Sequence, residues 1–112
     1  MFLPRELWTE LGGLDEGFVI PGGGRVNHDV YRRACALDGA QLVVLLGEGT
    51  FHQTHGGAAT SGRYAKADAD AEYEALRGEP FARPDNEALY VGGVPAAALP
   101  HLDESVRQAL GR

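Results

Sequence analysis

The chain has 112 residues, of which 44% are hydrophobic and 23% charged, a composition typical of one globular domain or part of one. Its net charge is −6 and no basic run exceeds two residues. Nucleic acid or an anionic membrane is therefore disfavoured as a partner, because phosphate binding requires a basic surface. The longest apolar run has five residues, against about 20 in a membrane-spanning helix, and the charges near Met1 argue against a signal peptide. We expect a cytoplasmic chain with no transmembrane segment.

Two helices are predicted in the first third of the chain. The first runs from Pro4 to Leu11, since proline is tolerated in a first helical turn and Gly12-Gly13 would end the helix. The second runs from Asn27 to Leu37, with its first residue as the N-cap. Within it, Asp29 and Arg33 are four residues apart, a spacing that favours an ion pair on the helix surface.

The remaining pattern predicts two strands and two more helices. Gln41 to Leu46 is short and branched, which predicts a buried strand. An alanine-rich helix is expected from Tyr64 to Arg77, and its narrow apolar side predicts light packing at an edge. Leu89 to Val91 predicts a second strand, and Asp103 to Leu110 a C-terminal helix. This alternation of helices and strands predicts an α/β or α+β fold, of which we expect the α/β class, with helices packed on a small sheet that has too few strands to be closed and self-sufficient.

A glycine-rich loop, Gly47 to Gly57, follows the predicted buried strand and contains His52 and His55. Two imidazoles in this H-x-x-H spacing can bind a divalent metal when a carboxylate completes the site. The helical zinc-protease motif is excluded, since it requires H-E-x-x-H on a helix. The alternative is that both histidines only hydrogen-bond within the loop.

Three carboxylates are candidates for chemistry. Asp15 and Glu16 follow a glycine turn, where carboxylates can accept hydrogen bonds from sugar hydroxyls or act as a base. Asp29, near a helix start, can also take a hydroxyl proton. The alternatives are a solvated turn for the first two and, for Asp29, an acid that complements the helix dipole.

Taken in order, the segments FLPRELW (2–8), LGGLDEGF (11–18) and GRVNHDVYRR (24–33) resemble the acceptor-side half of a family 2 glycosyltransferase. The strand and histidines that follow extend this resemblance to about residue 62. It implies a partial GT-A-like, Rossmann-like fold whose N-terminal nucleotide-binding half is missing. It also implies an acceptor-side segment at 1–63, with 64–112 as a helical extension of the same domain.

The resemblance assigns roles to individual residues. It implies that Asp15, Glu16, Arg33 and His52 bind substrate, and that His55 contributes to a divalent metal site for Mn²⁺ or Mg²⁺ in the full-length enzyme. The acidic pair of the family falls at Val26-Asn27, which leaves Asp29, or less directly Asp15, as the predicted catalytic base. The substrates would be a nucleotide-sugar and a hydroxyl acceptor.

The isolated chain is expected to be inactive as a glycosyltransferase, because the nucleotide site is not supplied by these residues. Two other functions compete with the glycosyltransferase prediction. A small binding or assembly module that self-associates through an exposed sheet edge is the main alternative. A small metal-binding domain based on His52 and His55 is the third.

Overall fold

The computed structural model describes residues 1–47, 65–102 and 107–108. Within them the chain is a mixed α/β structure with the element order α1 (Arg5–Glu10), α2 (Val26–Cys35), β1 (Leu42–Leu46), α3 (Lys66–Arg77), β2 (Ala88–Gly92) and a 3₁₀ helix (Ala96–His101). None of these described helices combines the length and the apolarity that crossing a membrane demands. The predicted domain boundary at residue 63 lies outside the described residues, as does most of the predicted C-terminal helix.

The described residues form two compact units. The first contains 1–41 and 65–86, and therefore all three α-helices. The second contains 42–47, 87–102 and 107–108, and therefore both strands and the 3₁₀ helix.

The core of the first unit is built around Tyr73 of α3, whose exposed fraction is 2%. Its ring meets the edge of Phe81 at a centroid distance of 5.3 Å and lies 6.2 Å from Phe18. Ala69, one turn earlier on α3, is also buried, with an exposed fraction of 4%. The prediction that this helix packs lightly is wrong, because aromatic residues from neighbouring loops complete the contacts that its own narrow apolar side does not supply.

Helix α2 begins earlier than its sequence predicts. Its N-cap is Arg25, so Asn27 lies inside the first turn and is not the cap. The amide of Val26 donates to the carbonyl of Gly23 at 2.8 Å, within a glycine turn that starts the helix. Val30 and Ala34 are buried on the core side of α2. The pairing of Asp29 with Arg33 along the helix is confirmed.

The second unit contains a two-stranded parallel sheet in which Val43 pairs with Leu89 and Leu45 with Val91. Paired residues share a face, and these four side chains are 45–54% exposed. The strand predicted at 41–46 therefore forms, but the prediction that it is buried is wrong for this face. Gly92 ends β2 with φ +93°, and a Cβ there would lie 2.6 Å from the carbonyl oxygen of Leu46, so only glycine fits this close approach.

Candidate functional site

The GG turn after α1 ends the helix in a specific geometry. Gly12 and Gly13 both have positive φ, at 73° and 69°. Their amides donate to the carbonyls of Thr9 and Trp8, each at 3.1 Å, the double hydrogen bond of a Schellman motif. The turn leaves the carbonyls of Leu11 and Gly13 facing α2, where an arginine reaches them.

Arg33 ties α2 to this turn. Its Nη1 donates to the Leu11 carbonyl, its Nη2 to the Gly13 carbonyl at 2.7 Å and its Nε to Asp29 Oδ2 at 2.8 Å. The fixed fork of a guanidinium suits such a set of three acceptors. Arg33 thus links the turn to α2 through hydrogen bonds to both.

Asp29, Arg33, Arg77 and Asp15 form one cluster of charged side chains, the Asp29 cluster. Asp29 is its buried centre, with a side chain that is 1% exposed. Besides Arg33, it accepts hydrogen bonds from Arg77 of α3, from Nε to Oδ1 at 2.6 Å and from Nη2 to Oδ2 at 2.8 Å. Burial alone would raise the pKa of this carboxyl, but the hydrogen bonds and charges of Arg77 and Arg33 outweigh burial and lower the pKa below its usual value. Asp29 is therefore an anion at neutral pH.

Asp15 is also bound by Arg77, through the same Nη2 nitrogen that donates to Asp29 Oδ2. Arg77 Nη2 donates to Asp15 Oδ2 at 2.7 Å, and the amide of Gly17 donates to Oδ1 at 2.8 Å. These two hydrogen bonds, from Gly17 first and then from Arg77, lower the pKa of Asp15. The Asp15 side chain remains 36% exposed, so a fixed carboxylate faces solvent.

These residues surround an open cleft of about 640 Å³ in the first unit, lined by residues 11–16 together with Arg33 and Arg77. Glu16 is exposed at its rim. Of the predicted site residues, Asp15, Glu16 and Arg33 thus line one cleft, and the fourth, Asp29, is buried and bonds the two arginines of that cleft. The roles predicted for them, substrate binding for the first three and proton abstraction for Asp29, stay predictions.

The predicted base, Asp29, is enclosed in this arrangement. A general base must come within hydrogen-bond reach of the proton that it abstracts. Both oxygens of Asp29 are engaged by arginines and the side chain has almost no solvent contact. Proton abstraction by Asp29 would require these ion pairs to open, whereas Asp15 already faces the cleft.

The two histidines, His52 and His55, lie outside the described residues. In the part of the chain that the structure describes, no group of three or more His, Cys, Asp or Glu side chains is placed to hold a metal ion. The predicted metal site at His55 therefore stays a prediction.

Sequence reasoning missed two residues of α3 that act on this region. Arg77 ends the helix and reads as an ordinary dipole-complementing cation, so no sequence signal pairs it with acids 48 and 62 residues away. Glu72 accepts from the backbone amides of Val19 and Ile20, at 2.8 and 3.0 Å. Both residues join α3 to the loop between α1 and α2.

The chain matches no protein-family model, no curated protein and no solved structure. The resemblance to family 2 glycosyltransferases therefore stays a prediction from the sequence.

Proposed function

We propose that this chain is the acceptor-binding part of a GT-A-type glycosyltransferase, which transfers a sugar from a nucleotide-sugar to a hydroxyl acceptor. One observation carries the proposal: Asp15, Glu16 and Arg33, which the resemblance assigns to substrate, line one cleft although they come from two separate segments. The cleft is concave and polar at its rim, as expected for a small-molecule site.

The chemistry of the cleft suits a hydroxyl-bearing ligand. A carboxylate has about four lone-pair positions, and the internal hydrogen bonds of Asp15 leave part of this capacity for a ligand. Glu16 adds a second, exposed carboxylate beside it. Sugar hydroxyls would donate to these oxygens in charge-assisted hydrogen bonds. Asp29 would orient Arg33 and Arg77, and Asp15 is the carboxylate that could reach an acceptor proton without rearrangement.

The proposal gives none of the described residues a role in binding the nucleotide-sugar donor. Transfer from a nucleotide-sugar develops charge on the diphosphate, which a divalent ion such as Mn²⁺ or Mg²⁺ neutralises when it is bound. His52 and His55 remain the candidates for that side of the reaction. We accordingly propose that the isolated chain binds the acceptor and does not turn over the donor.

The proposal is tested by NMR titration of the full chain with neutral methyl glycosides of glucose, mannose and N-acetylglucosamine. We expect saturable shifts at Asp15, Glu16 and Arg33, which the double substitution Asp15→Asn with Glu16→Gln abolishes. The matched control is Asp70→Asn, a carboxylate of the same unit that pairs with Arg25 outside the cleft. Absence of shifts at the cleft with every glycoside, or turnover of a uridine diphosphate sugar with Mn²⁺ by this chain, would overturn the proposal.

A second candidate function is self-association through the sheet of the second unit. The observation that favours it is the face formed by Val43, Leu45, Leu89 and Val91, each about half exposed. A two-stranded sheet is marginal without further strands or a covering element, and a second copy would supply an identical surface. Sedimentation of the wild type and of Leu45→Lys tests this function. We expect the wild type to associate and the variant to be monomeric, and a monomeric wild type would reject the assembly function.

A further inference from the structure

Arg77 donates hydrogen bonds to both Asp15 and Asp29. Three of its hydrogen bonds, at 2.6, 2.8 and 2.7 Å, go to these two carboxylates. Its side chain is 23% exposed and it lines the cleft. The contacts raise the pKa of Arg77 further above its usual range, with Asp29 as the first cause and Asp15 as a further one. The cation is therefore permanent.

This geometry fixes the orientation of the Asp15 carboxylate. One of its oxygens is fixed by the Gly17 amide and the other by Arg77, so its carboxylate has one orientation before any ligand arrives. A group that is oriented in advance binds its ligand at a lower entropic cost. The planar fork of arginine can serve two carboxylates at once, while the single ammonium of lysine is a point charge on a flexible stem.

We infer that Arg77 is a positioning residue of the cleft, which joins the buried Asp29 to Asp15 and thereby aims the Asp15 carboxylate at the acceptor. The inference rests on the proposed function for the identity of the ligand. It brings α3 into the site, although the resemblance ended near residue 62 and placed this helix in an extension.

The test is the substitution Arg77→Lys, which keeps the charge that buried Asp29 requires. We expect the lysine to remain with Asp29 and to release Asp15. The pKa of Asp15, followed by carboxyl ¹³C NMR, should then rise toward its ordinary value, because Arg33 and the Gly17 amide would be the remaining groups that lower it. Affinity for the methyl glycoside that binds the wild type should fall about three- to tenfold. Arg32→Lys is the control, since Arg32 bonds Tyr73 and Glu79.

The readouts separate this inference from the proposed function. An unchanged Asp15 pKa in Arg77→Lys refutes the positioning role whether or not a glycoside binds. If no glycoside binds the wild type but the Asp15 pKa moves, the linkage stands and the acceptor function fails. If Arg77→Lys does not fold, an NMR pH titration of the wild-type chain tests the inference. The Arg77 side-chain ¹⁵N signals should then show a step as Asp15 titrates, and this step should vanish in Asp15→Asn. Persistence of the step in Asp15→Asn would reject the inference.

Discussion

Replacing Asp29 by Asn should destabilise the chain far more than the same change at an exposed ion pair. The substitution keeps the size of the side chain but removes its charge and one acceptor oxygen, leaving Arg33 and Arg77 without their common anion. Removing one partner of a fully buried pair costs about 3–5 kcal/mol. The two arginine side chains are 28% and 23% exposed and can be partly rehydrated, so we expect the lower end, about 3 kcal/mol.

Urea unfolding of the full chain measures this difference, with Asp70→Asn as the control. The Asp70 side chain is 41% exposed in its pair with Arg25, so its loss should cost about 1 kcal/mol or less. The pKa of Asp29 is lowered in the folded state, so its stabilising effect exists above the unfolded pKa and is lost as the pH falls through the folded pKa. The gap between wild type and Asp29→Asn should therefore be constant at pH 5–7 and shrink below about pH 4. Equal losses for the two variants, or a gap that does not narrow as the pH falls below about 4, would refute the reasoning.

Two further predictions, each with a comparison variant, concern the close approach of Gly92 to Leu46 and the hydrogen bonds from Val19 and Ile20 to Glu72. Gly92→Ala should lower stability by about 2 kcal/mol or more, because of its positive φ and the contact with Leu46. Gly93→Ala should change it by about 0.5 kcal/mol or less, since no atom lies within 4 Å of its Cβ position; similar exchange rates of the β1 and β2 amides in the two variants would contradict this. Glu72→Ala should cost about 1–2 kcal/mol in thermal unfolding by losing the acceptor of two backbone amides. Glu72→Gln retains one oxygen and should cost less, and equal losses would show that those hydrogen bonds contribute little.

Local elements of the fold were predictable because their causes are local. Proline at the start and two glycines at the end define α1, and the branched run 42–46 defines β1. The degree of burial was not predictable from the same patterns. Tyr73 is buried by Phe18 and Phe81, which lie in loops without periodicity, whereas Val43 and Leu45 of β1 are about half exposed.

For the candidate site, the sequence singled out Asp15, Glu16 and Arg33 of the cleft but not Arg77, and not how these residues are held. The Asp29–Arg33 pair follows from helical spacing, and the DE turn stands out beside its glycines. The pairing of Arg77 with both acids depends on how α3 packs against the first forty residues, and that is a property of the tertiary structure. Any cation in the last turn of a helix is explained equally well by the helix dipole.

The Asp29 cluster is better explained by orientation than by stability. A buried ion pair is often no more stable than apolar side chains of similar volume, because desolvation offsets much of the attraction, although removing one partner is costly. An apolar replacement would fill the same space between α2 and α3, but it would direct no hydrogen bond toward Leu11, Gly13 or Asp15. The two arginines that Asp29 holds donate hydrogen bonds to that turn instead. The turn bears the exposed carboxylates of the cleft, so the cluster fixes the groups that a ligand would meet.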